Sequence, residues 1–174
     1  MSGGAFWNFS LAVYRDPAVQ RECLELQDRY GIDVNLLLFC AFVGAVHAAL
    51  LSADEVKQAA SAVAEWQRDV VVGLRGVRRA LKPLAQDKAP PGAAAAALRE
   101  TVKAAELEAE RIEQQMLERW AAERLAAWPR AEPPAAVAAN IRALFAVASA
   151  PPDLPTHLIA ATLAAGGAAP GGRH

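Results

Sequence analysis

Eighteen consecutive residues, Val34 to Leu51 (VNLLLFCAFVGAVHAALL), contain only Asn35 and His47 as conventionally polar side chains. A helix that is apolar all round has to be enclosed, either by other helices or by lipid. The flanks favour helices: Asp33 precedes the stretch, Asp54 and Glu55 follow it, and the nearest basic residues are Arg29 and Lys57. The Lys/Arg anchors and charge asymmetry of a membrane span are therefore missing. Small residues recur as Cys40, Gly44, Ala48 and as Ala41, Ala45, Ala49, ridges that let neighbouring backbones come close. The sequence predicts an all-α protein: a compact helical bundle around a buried central helix, with a long charged amphipathic helix and short C-terminal helices.

Punctuation residues divide the remainder. Ala5 to Tyr14 is a short aromatic helix. Asp16-Pro17 starts a second, which runs to Tyr30 on a Val19, Cys23, Leu26 and Tyr30 stripe and leaves Arg21, Glu22, Glu25 and Asp28 wet. Gly31 suits a left-handed stop and Asp33 an N-cap, so residues 17 to 51 read as a tight helical hairpin. Ser52 and Glu55 form a capping box for the next helix, with Gly73 and Gly76 predicting a bend and Pro83 a stop or a kink. Four segments follow: a helical core over 1–85, an Ala/Pro-rich connector over 86–97, a C-terminal helical region over 98–165 and a disordered tail over 166–174. Within the third, helices are expected over 98–128, 135–149 and 154–165, the last capped by Asp153.

Two stretches, FWNFSLAVYRDPAVQRECLELQDRYGIDVNLLLFCAF and AEWQRDVVVGLRGVRRALK, carry a resemblance. Over residues 5–82 the chain resembles a conserved-hypothetical family of proteobacterial proteins with an N-terminal Trp, a Cys-Leu-Gln run, a Tyr-Gly turn before Asp-Val-Asn-Leu-Leu-Leu, and a Trp followed by Arg-x-x-Arg. The resemblance implies a bacterial origin; it implies no activity.

Net charge of −1 gives no global pull toward nucleic acid, and two cysteines are too few for a secreted disulfide framework. No signal-peptide pattern opens MSGGAFWNFS, so the expectation is a cytoplasmic protein. Cys23 and Cys40 fall at matching heights about the residue 31 turn and read as buried thiols, a redox or metal pair being the sharper option. His47 reads as a core histidine. No phosphate loop, dinucleotide-binding glycine pattern or catalytic motif is present, so no catalytic residue, metal or cofactor is assigned.

Two groups of residues remain. Arg75, Arg78, Arg79 and Lys82 share a helix surface, as partner- or anion-binding cations or as internal partners of the Glu-rich helix 98–128. Trp7, Gln27, Tyr30, Asn35 and Trp66 combine aromatic rings with hydrogen-bonding groups suited to a ligand pocket. The leading expectation is a non-catalytic adaptor or regulator acting through protein-protein contacts, with a protein partner or self-association through helix 98–128. The runner-up is a small-molecule or acidic-ligand binder, including an enzyme acting on such a ligand, with its pocket near Trp7, Asn35, Trp66 and Arg75.

Overall fold

The central helix α3 (Val34–His47) buries eleven of its fourteen residues, Asn35 through Ala45. At 1.5 Å per residue it spans about 21 Å, short of the roughly 30 Å hydrocarbon thickness of a bilayer. Among the described residues no helix is long and apolar enough to cross a membrane. The computed structural model describes residues 4–86, 90–151 and 153–168, and among these the secondary structure is eight α-helices with one π-helical and one 3₁₀ turn.

The predicted helix over 34–51 stops four residues early. Ala48 takes a left-handed conformation (φ 50°) and the Ala49 N–H reaches back to the Val43 carbonyl at 3.3 Å. The chain then runs extended beside residues 129–131, with Leu50 N–H donating to Pro129 O (2.8 Å) and Ala131 N–H to Ala48 O (2.9 Å). Asn140 holds this corner from below. Fully buried, it accepts from Leu51 N–H (2.7 Å) and donates to Cys40 O (3.2 Å) and Ala49 O (3.0 Å).

Around α3 lie α1 (Ala5–Val13), α2 (Pro17–Tyr30), α4 (Ala53–Trp66), α6 (Gly92–Ala122), α7 (Pro133–Ala148) and α8 (Thr156–Ala168). The small-residue ridges meet α7 and α8. A Cβ on Gly44 would lie 2.6 Å from Val137 N, and one on Gly166 of α8 would lie 2.8 Å from Ala45 Cβ. Phe6 and Phe9 of α1 stack and edge onto Phe42, and Phe39 meets Trp120. Gly31 (φ 66°) and the Asp33 cap form the turn before α3 as its residues require. The hairpin itself needs correction: α2 buries only Val19 and Cys23 and leans more on α8 than on α3. Glu22, expected to be wet, accepts from the first-turn amides of α8, His157 N–H (3.1 Å) and Leu158 N–H (2.8 Å).

Beyond α4 the helix widens into a π turn over Gln67–Val71, just before Gly73, and continues as α5 (Val72–Ala85), two residues past Pro83. Helix α5 buries no residue completely and packs mainly on α6, so the two form an antiparallel arm. The alanine run assigned to the connector is helical from Gly92 on, and α6 ends at Ala122 rather than 128 because residues 123–128 turn through a 3₁₀ segment that buries Trp128. Gly166, Gly167 and Ala168, placed in the tail, belong to α8; residues 169–174 lie outside the described residues.

Candidate functional site

Where the arm leaves the body, the end of α1, the side of α2, the start of α3 and the facing sides of α5 and α6 enclose a cleft of about 420 Å³. Each wall follows from a local rule. The aromatic helix α1 turns Trp7, Leu11 and Tyr14 to it at helical spacing, and α2 adds Leu24 and Gln27. The Asp33 cap fixes the α3 entry, putting Val34, Asn35 and Leu38 in the cleft, and α6 contributes Leu107 and Gln114.

Charge on the arm side is largely cancelled inside the molecule. Arg75 donates from Nε to Glu106 (3.0 Å), from Nη1 to Gln27 (3.1 Å) and from Nη2 to Glu110 (2.9 Å). Arg78 grips Glu106 with two nitrogens, Nη2 at 3.2 Å and Nε closer still. Burial disfavours the charged form of Glu106, but the hydrogen bonds and charges of Arg78 and Arg75 outweigh it and hold the carboxyl below its ordinary range. For Glu110 burial wins over Arg75, and its carboxyl is pushed upward. Arg79, by contrast, is exposed, lines the cleft and makes no ion pair among the described residues. Lys103 lies across from it on α6, with an exposed Glu100 at 3.8 Å as its ion-pair partner.

Under the floor runs a buried polar relay. Gln114 Nε2 donates to Asn35 Oδ1 (2.8 Å), and Asn35 Nδ2 donates to Glu113 Oε2 (2.8 Å). Glu113 has no solvent exposure, and its pKa is raised to about 9 by burial first, then by the charge of Asp33 and a hydrogen bond with it. With both carboxylates ionised, Glu113 Oε1 has no partner; the retained proton lets Glu113 donate to Asp33. Asp33 meanwhile accepts from Asn35 N–H (2.9 Å) as the α3 cap. Tyr14 keeps its phenolic proton, its pKa raised to about 12 mainly by burial.

The structure brings Trp7, Gln27, Asn35, Arg75, Arg78 and Arg79 to this one cleft. It leaves the other three outside. Tyr30 is exposed at the end of α2, and Lys82 is exposed further along the arm. Trp66 lies by a separate hollow beside Ser61, Asp69 and Met116, with its indole N–H donating to Ala109 O (2.9 Å). Sequence reasoning missed Ser10, Tyr14, Glu113, Gln114 and Lys103. Glu113 and Gln114 had a signal: both fall on the inward side of α6 with Ala109, Leu117 and Ala121, where a Glu should prompt a search for partners.

The remaining candidates are structural. Cys23 and Cys40 are free and buried, and burial raises both thiols to about 12, so neither offers a thiolate. His47 ends α3 with its ring edge-on to Phe42 at 5.0 Å, and burial, then Arg130, lowers its pKa. Among the described residues no group of His, Cys, Asp and Glu could hold a metal ion.

Comparison with known families matches residues 5–117 to the family described as "Protein of unknown function (DUF2390)". The chain belongs to the DUF2390 family. The match reaches beyond residues 5–82, across the tip of the arm, and takes in the residues of both cleft walls down to Gln114. It stops before α7 and α8, the helices that cover the other side of α3. No curated protein and no solved structure matches the chain.

Proposed function

We propose that this DUF2390 chain is a small-molecule-binding protein and that the cleft between its body and its helical arm holds the ligand. The observation that supports this reading best is the convergence of an aromatic and aliphatic wall with buried polar groups in one concavity of about 420 Å³. That is the size and composition of ligand sites, which commonly measure about 300 to 1,000 Å³ and combine apolar walls with a few placed polar groups. The same reading sets the protein in the cytoplasm of a bacterium, in keeping with its two free thiols. Native mass spectrometry of protein purified gently from its own host tests it. The wild type should carry a bound small molecule that a cleft-filling Leu107→Trp variant loses. A bare wild-type chain would overturn the reading.

A second reading, self-association, has its own support. Val77 and Leu84 of α5, two turns apart, and Leu98 of α6 are each about half exposed on the arm. A second copy laid against that stripe would extend the two-helix arm into a bundle. Sedimentation across a concentration series decides: a dimer abolished by Val77→Glu/Leu84→Glu supports it, and a monomer throughout removes it.

A further inference from the structure

The relay beneath the cleft has a direction, and the direction constrains the ligand. Asn35 Nδ2 can only donate, and it donates to Glu113 Oε2. Asn35 Oδ1 must then accept, and it does so from Gln114 Nε2. Gln114 is left with its carbonyl Oε1, which lies buried without a partner among the described residues. An amide oxygen can only accept. Ser10 Oγ, on the opposite wall, is likewise buried and unpartnered, and both residues line the cleft. A buried polar atom left unpaired is destabilising, so two in one concavity call for a group that satisfies them.

The other end of the cleft has the opposite character. Arg75 and Arg78 are engaged with Glu106 and Glu110, so the cations available to a ligand are Arg79 and Lys103, both exposed at the mouth. Between mouth and floor lie Trp7, Leu11, Leu38 and Leu107. We infer that the ligand is a small organic acid with an apolar body and an O–H or N–H donor remote from the acid group. Its acid group sits between Arg79 and Lys103, its body lies along Trp7 and the three leucines, and its donor meets Gln114 Oε1 with Ser10 as second partner. This inference rests on the cleft being the ligand site.

A set of probes that share one body isolates each demand: 3-(4-hydroxyphenyl)propionate carries both groups, 3-phenylpropionate the acid alone, 4-propylphenol the donor alone, and tyramine the donor with a cation in place of the acid. Calorimetric titration of the full chain should give the doubly substituted acid at least tenfold tighter binding than either singly substituted probe. Arg79→Gln/Lys103→Gln should erase the advantage of the acid and leave that of the phenol. Gln114→Leu should do the reverse, and Ser10→Ala, a milder change at the same end, should weaken the phenolic probes several-fold without touching 3-phenylpropionate. Equal binding of all four probes, preference for tyramine, or no binding of any probe would overturn the inference. A host-derived ligand found by mass spectrometry to lack an acid or a donor would overturn it too, while leaving the cleft reading intact.

Discussion

Gly44 stands where α3 crosses α7, and the atoms its absent Cβ would meet are backbone: Val137 N at 2.6 Å, Val137 Cα at 2.8 Å and Ala136 C at 2.9 Å. A flexible side chain could swing away from a new methyl group, but a helix backbone must move as a body. Gly44→Ala gains about 1 kcal/mol of helix propensity, which the overpacking outweighs, and we expect a net loss of about 1 to 3 kcal/mol in urea unfolding. Gly76 provides the control, since nothing lies within 4 Å of the Cβ it lacks. Gly76→Ala should therefore stabilise by about 1 kcal/mol. Matching effects of the two substitutions would contradict the tight α3–α7 crossing. At this scale the sequence was half legible. Spacing alone marked Cys40, Gly44, Ala45 and Ala48 as a close-approach surface. It could not tell which helix would approach, because the residues that complete the contact are more than ninety positions away.

Helix ends separate local information from distant information. Asp16 accepts from Ala18 N–H at 2.8 Å, Asp33 from Asn35 N–H at 2.9 Å, and Ser52 with Glu55 closes a reciprocal box; all three were written within a few residues of the helix they start. The first and last helices are held differently, by carboxylates from other helices. Glu118 of α6 accepts from Ala5 N–H at 3.1 Å, and Glu22 of α2 takes two amides of α8 where the sequence pointed to Asp153. A charged acceptor at a helix N-terminus adds dipole attraction to the hydrogen bonds, so Glu22→Ala should cost about 1 to 2 kcal/mol. The loss should be local. Amide hydrogen exchange should quicken across residues 156–168, while Leu37, Phe39 and Ile141 in the α3–α7 core keep their order of protection. Unchanged exchange in α8 would show that Glu22 does not anchor it.

At the scale of the whole molecule, the apolar stretch announced a bundle, and the bundle followed; the cleft did not follow from any single stretch. Arg75 was legible as a cation on a helical face. That it would spend its charge on Glu106, Glu110 and Gln27, leaving Arg79 without an ion pair among the described residues, depends on how the arm settles against α2, which no local pattern encodes. The buried Glu113 is the same problem in its sharpest form, and it ties global stability to pH. Its carboxyl titrates near the ordinary value of 4.5 in the unfolded chain and near 9 in the fold. Between those values the native state holds a proton that the unfolded state has released, so stability falls as pH rises through the window and levels off above it. Below the ordinary carboxylate range this contribution is fully present. Glu110 is raised as well and adds a slope of the same sign, whereas Glu106, held low by its arginines, contributes stability that is lost in acid. Glu113→Gln mimics the protonated acid: its amide oxygen can accept from Asn35 and its amide nitrogen can donate to Asp33, with no proton to lose. Urea unfolding at pH 5, 7 and 9 should show the wild type losing stability steadily. The variant should show a shallower decline, and the two curves should diverge most at pH 9, with the variant the more stable. A wild type whose stability rises from pH 5 to 9, or a variant with an equally steep decline, would mean that Glu113 is ionised in the folded core.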